Sequence, residues 1–140
     1  MAISIAAFNT QLLGFIGAAT GITDIVSTRF YYIRLPQLEI FPALTFKVIN
    51  VDPVEVKTGV SDYDIVRVQF DCHDLPNTTA GSTNECEGLY DAVRTAFDRF
   101  KDSAGSVKFH QTFYKGRTLM TQDFDTKVYT ISVDFEFHIK

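Results

Sequence analysis

Tyr129-Thr130-Ile131-Ser132-Val133-Asp134-Phe135-Glu136-Phe137-His138-Ile139 alternates without interruption between an apolar set (Tyr129, Ile131, Val133, Phe135, Phe137, Ile139) and a polar one. Successive side chains of a strand point to opposite faces, so this period of two predicts a strand with one face in a core and the other toward water. Two earlier stretches follow the same grammar. Tyr63 to His73 sets Val66, Val68, Phe70 and Cys72 against Arg67, Gln69, Asp71 and His73. Ala43 to Val51 sets Leu44, Phe46 and Val48 against Thr45 and Lys47. Asp52 and Pro53 break the latter, and a polar stretch through Gly59 joins the two strands into a hairpin with a long tip. Val107 to Tyr114 reads as a further strand, joined to the last by a tip from Lys115 to Asp125 that contains Gly116.

A helix is expected between the hairpins. After the loop Asp74 to Gly81, Ser82 and Glu85 form a capping box, and Cys86, Leu89, Tyr90, Val93, Phe97 and Phe100 mark one stripe. The helix should run to about Lys101, with Arg99 and Lys101 opposing the negative end of its dipole and Gly105 just beyond. A helix that reverses the chain makes the strands on either side of it point the same way, so an all-antiparallel sheet must keep them apart. At the start, Ser4 caps a helix whose Phe8, Leu12, Phe15, Ile16 and Ala19 share a face, with Gly17 and Gly21 ending it. From Ser27 to Pro42 two prolines forbid a helix, leaving a connecting arm. The expectation is an α+β domain over residues 1–140: an antiparallel four-stranded sheet of two hairpins, one long helix across one face, and an N-terminal helix. A chain of 140 residues encloses one core.

Composition narrows the function. With 46% apolar and 21% charged residues no segment is poor enough in apolar side chains to stay disordered alone, and 13 Phe and 6 Tyr point to an aromatic core. A net charge of -4 with scattered basic residues argues against free-standing nucleic-acid binding. Asn9, Thr10, Gln11 and three glycines interrupt the uncharged run Ala2 to Ile22, so it falls short of a membrane span and no membrane partner is expected. Two cysteines are too few for a disulfide scaffold, and Met1 to Thr10 carries no basic residue of a secretory signal, which makes a reducing cytoplasm the expected compartment.

Catalytic patterns are missing. Gly14, Gly17 and Gly21 do not match a dinucleotide fingerprint, there is no P-loop lysine, and Ser82 already has a capping role. Cys72 and Cys86 sit on apolar faces without a C-x-x-C, so burial explains them better than a zinc site shared with His73. His73, His110 and His138 lie on the polar parity of different strands; three imidazoles would make a catalytic zinc triad, and isolated surface histidines are the plainer reading. No catalytic residue, metal or cofactor is therefore expected. Asp71, Asp134 and Glu136 share the polar face, which is either a solvated sheet surface or the wall of a channel that repels DNA.

The stretch Thr28-Arg29-Phe30-Tyr31-Tyr32-Ile33-Arg34-Leu35-Pro36-Gln37-Leu38-Glu39-Ile40-Phe41-Pro42-Ala43-Leu44-Thr45-Phe46, followed by Arg67-Val68-Gln69-Phe70-Asp71 and then one helix, resembles the tail-completion and tail-terminator proteins of long-tailed bacteriophages and gene transfer agents. The resemblance runs in order from about Ala6 to Phe100, and the two closing strands agree only in pattern. It implies a structural virion protein, assembled in the host cytoplasm, that forms a ring, usually of six subunits. Such a ring caps the tail tube, ends its growth and joins the tail to the head connector. The partners implied are other copies of the chain, the tail tube protein and the head-tail connector protein, with DNA only as passing cargo. The alternatives are a small ferredoxin-like ligand-binding regulatory domain and a metal-dependent enzyme built on the three histidines.

Phe30, Tyr31, Tyr32, Ile33, Leu35, Leu38, Ile40 and Phe41 crowd into the non-helical arm, more apolar surface than one small sheet and helix can bury. They are the expected subunit interface, with Tyr31 and Phe41 as anchors, helped by the tips Asp52 to Asp62 and Lys115 to Asp125.

Overall fold

A computed structural model describes residues 4–36, 40–56, 59–75 and 84–140. In chain order it has helices α1 (Ile5–Ala18) and α2 (Thr20–Val26), strands β1 (Phe30–Tyr32), β2 (Ala43–Val56) and β3 (Gly59–Asp74), helix α3 (Asn84–Phe97), then β4 (Phe109–Arg117), β5 (Thr121–Gln122) and β6 (Tyr129–Ile139). The strands form one sheet in the order β1-β2-β3-β6-β4, with β5 also on β6. This is not the βαββαβ order of a ferredoxin-like domain.

The most regular sequence lies inside the sheet. Along its whole length β6 pairs antiparallel with β3, from Asp64↔Ile139 to Asp74↔Tyr129, and β4 takes its other side. Strands β3 and β4 are thus parallel in direction and held apart by β6. Every odd position of β6 from Ile131 to Ile139 is buried, as are Val66, Val68, Phe70 and Cys72 of β3. The three helices lie over that face. Phe97 of α3 stacks on Phe70 at 5.2 Å, Phe8 of α1 stacks on Phe109 at 5.3 Å, and Leu89 and Val93 are buried with Val133 and Phe135. Gln11 ties α1 to the turn before β4: its Oε1 accepts from Val107 N at 2.8 Å and its Nε2 donates to Val107 O at 3.1 Å.

The expected four-stranded antiparallel sheet with one long helix is corrected, among the described residues, to a six-stranded mixed sheet with three short helices. The added strands are those without a readable period. Phe30, Tyr31 and Tyr32 pair in parallel with Leu44, Thr45 and Phe46, so the arm begins as an edge strand. Thr121 and Gln122, too few to show alternation, pair with Thr130 and Tyr129 inside the expected tip. The first helix is two: Ala19 is extended (φ -81, ψ 97) and the axes of α1 and α2 meet at 81°. Among the described residues no single helix is long and apolar enough to cross a membrane.

The third helix stops at Phe97, short of Lys101. Arg99 turns into the left-handed region (φ 61) and donates its N–H to Thr112 O at 3.0 Å, while Thr112 Oγ1 donates to Phe100 O, also at 3.0 Å. Strand β4 captures the backbone groups that another helical turn would have used. The capping box at Ser82 and the arm residue Leu38 lie outside the described residues.

The β2–β3 hairpin outruns the sheet. Pairing of β3 with β6 starts at Asp64, but β2 and β3 stay paired from Pro53↔Asp64 out to Val56↔Gly59. A two-stranded ribbon therefore extends past the body of the fold, a form that is only marginally stable in isolation.

Candidate assembly surfaces

The face of the sheet away from the helices is bare and polar. Its side chains bond across strands. His73 Nε2 lies 2.9 Å from Thr45 Oγ1 and its Nδ1 lies 3.1 Å from Thr130 Oγ1, linking β2, β3 and β6. Asp71 Oδ1 accepts from Ser132 Oγ at 2.6 Å and from Gln69 Nε2 at 2.8 Å. Asp134 pairs with Arg67 at 3.0 Å, and Glu136 with Lys115 at 3.6 Å and His138 at 3.4 Å. The three acids named from the sequence thus share this face, and each is held by neighbours. Burial pushes the His73 pKa down from 6.5, with Asp71 opposing. This imidazole acts as a neutral cross-strand link.

The three histidines do not form one site. His138 is in register with Ile65 and His73 with Thr130, eight residues apart along β6, which is roughly 26 Å. His110 and His138 instead flank Tyr63, at ring separations of 5.6 and 5.9 Å. Cys72 and Cys86 are buried free thiols; Cys86 Sγ donates to Cys72 O at 3.3 Å, and burial raises its pKa to about 11, so it stays protonated.

The arm has a pinned base and an exposed far end. Arg29, just past α2, donates from Nε to Pro42 O at 3.0 Å and from Nη2 to Ile25 O at 3.3 Å, while Leu44 N donates to Arg29 O at 2.9 Å. One guanidinium closes the loop and satisfies a helix C-terminal carbonyl. Phe30 packs on the core and Tyr32 lies 5.3 Å from Phe46, so part of the aromatic cluster serves the fold. Tyr31 pairs with Thr45 on the bare-face side, and Leu35 and Phe41 are half-buried. Beyond them Ile33 is 56% exposed, with its backbone at φ 74, a conformation that β-branched residues rarely adopt; Ile40 is also exposed. Backbone strain of this kind clusters at functional segments.

The opposite edge carries a second apolar projection. Leu119 and Phe124, at 84% and 89% exposure, sit on either side of β5. The loop's shape is set by Asp123: its Oδ1 accepts from Asp125 N and Thr126 N, and those bonds lower its pKa. Its root is fastened to α3, where Arg117 makes a two-point ion pair with Glu87 (2.6 and 3.3 Å) and lies over the Tyr90 ring. Tyr90 and Tyr114 share a 2.7 Å hydrogen bond under Arg94.

The sequence reading named this tip but not Leu119 or Phe124; an aromatic set between Asp123 and Asp125, outside any alternating run, is the signal that finds them. Arg29 stands in the arm stretch quoted above, and its role as a clamp shows only once α2 and Pro42 are side by side.

Comparison with known proteins supplies a family and a fold. A family model described as "Tail completion protein gp17" matches residues 10–140. Among solved structures, a chain from "Virion of native gene transfer agent (GTA) particle" superposes with a TM-score of 0.68 at 12% identity, covering 84% of this chain and 83% of its own. At that identity the likeness concerns the fold. No match is found among curated proteins.

Proposed function

The chain belongs to the family of the tail completion protein gp17, structural proteins of the phage tail, and on that premise we propose that its copies form a ring, six in number, that caps the tail tube. As a virion component of the tail region it works by shape and contact. The ring binds the finished end of the tube, stops its polymerisation and presents its other side to the head-tail connector. Tube protein, connector protein and further copies of the chain are its partners, and DNA passes through as cargo.

The observation that carries this reading is the arm: a loop clamped by Arg29 that holds Ile33 and Ile40 in solvent at one edge of the sheet. Apolar surface of that kind marks an interface. Phe30, Tyr31, Tyr32, Ile33, Leu35 and Phe41 supply the subunit contact, with Tyr31 and Phe41 as anchors. The bare face lines the channel. Asp71, Asp134 and Glu136 put acidic groups on that wall and take up the donors of Ser132, Gln69, Arg67 and Lys115, so it holds the DNA phosphates weakly.

Replacing Tyr31 and Phe41 together by Ser tests the reading in a tail-assembly assay. The expected result is a folded monomer that leaves tubes of uncontrolled length. A variant that still sediments as a ring and caps tubes contradicts it.

A further inference from the structure

The sheet closes its two outer edges by different means. On the β4 side Phe109 exchanges backbone hydrogen bonds of 2.7 and 2.9 Å with Asp102, and Thr112 O accepts from Arg99 N at 3.0 Å, so the segment before β4 takes the ladder groups that a further strand would use. Past Tyr114 a register shift and the positive φ of Gly116 (114) bend that strand. On the other side β1 covers β2 only from Leu44 to Phe46. From Lys47 onward β2 pairs with β3 alone, which leaves the longest uncovered edge among the described residues.

An uncovered edge offers its N–H and C=O groups to any chain that can add a strand. Leu44 N donates to Arg29 O and Phe46 O accepts from Ile33 N, so alternate residues of β2 from Leu44 direct their backbone groups outward, and Val48 is next. There the strand carries one residue too many. Val48 pairs with Val68 and Asn50 with Arg67, which makes Ile49 the extra residue of a bulge. Counted past it, the outward positions become Val51 and Pro53, and Pro53 has no N–H to give. Alongside them Asn50 Nδ2 donates to Asp52 Oδ2 at 2.9 Å, a bond that runs along the strand.

The core makes no use of Ile49. Without it, Lys47, Val48, Asn50 and Val51 would alternate unbroken against Gln69, Val68, Arg67 and Val66, with both valines still on the core face. Its side chain is 48% exposed. We infer that the extra residue and Pro53 form an edge guard: the bulge twists the open stretch of β2 out of line and the proline withholds a donor, so that no extended segment lengthens the sheet there. Contacts between this stretch and any other chain are then made by side chains and not by a shared ladder. The inference holds whatever number of copies assemble.

Three changes in the full chain test it, read by thioflavin T fluorescence and sedimentation velocity. Deleting Ile49 removes the bulge, and should give a folded protein whose fluorescence rises several-fold over the parent's and whose species keep growing with concentration. Ile49→Ser keeps the bulge and removes the apolar side chain, and should match the parent in both measurements. Pro53→Thr restores the donor, and should raise the fluorescence by less than the deletion does.

Melting curves accompany each variant. A deletion variant that folds and keeps the parent's fluorescence and sedimentation overturns the edge guard, as does an Ile49→Ser variant that aggregates as the deletion does. If the deletion variant fails to fold, Pro53→Thr decides: a rise in fluorescence supports the guard and an unchanged signal overturns it.

Discussion

Phe97 and Phe124 are the same side chain used in opposite ways. Phe97, 1% exposed, stacks on Phe70 and meets Phe135 and Phe137 edge-on beneath α3. Phe124, 89% exposed, stands at the end of a loop that Asp123 shapes, with the Lys127 ammonium 5.9 Å from its ring. The first belongs to a region whose demands are met inside the chain, the second to a region whose shape is built and whose apolar surface is left over. The bare face of the sheet sides with the core here, since its acids, His73 and its threonines find partners within the sheet. The four most exposed large apolar side chains among the described residues, Ile33, Ile40, Leu119 and Phe124, stand at the two edges, and the function proposed for the chain resides there.

Substitutions can break this contrast. Phe97→Ala should be the most damaging, costing about 3 to 5 kcal/mol in urea or thermal melts, because it empties a packed aromatic cluster. If that variant melts like the parent, α3 does not seal the core. Arg29→Ala should cost about 2 kcal/mol by leaving the carbonyls of Ile25 and Pro42 without their charged donor, and should expose the arm to limited proteolysis. Unchanged proteolysis would mean that the clamp does not set the arm.

His73 gives a smaller, pH-dependent effect on the bare face. Its folded pKa lies below 6.5, so between the two values the unfolded chain binds more protons and stability falls as pH drops through 6.5. A His73→Gln variant should show a shallower decline over that range, and an equal decline would place the titration elsewhere. Smallest of all should be the stability effect of Leu119→Ser/Phe124→Ser, within about 0.5 kcal/mol. A larger loss would make the loop part of the core and erase the comparison.

The sequence showed the core better than the edges for a physical reason. Alternation over β3 and β6 and the stripe through Leu89, Val93 and Phe97 arise because burial acts on every second, or every third and fourth, residue; all of these took their expected places. Edge elements are set by single contacts instead. Strand β1 exists because Arg29 brings the arm beside Leu44, and the end of α3 is fixed by a hydrogen bond to Thr112, 13 residues after Arg99 in sequence. Such contacts leave no period to read.

For the assembly surfaces, the apolar crowding of residues 30–41 was visible, but which residues face the core and which face solvent was not. Phe30 packs on the core, whereas Ile33 is exposed where the backbone enters the left-handed region (φ 74) at the end of β1.

Negative-stain electron microscopy of the purified full chain, alone and on tail tubes, tests the central claim most directly. The account predicts closed rings of six subunits with an open centre, seated at the ends of tubes of uniform length. Isolated monomers under both conditions, with tubes growing on in their presence, would contradict it.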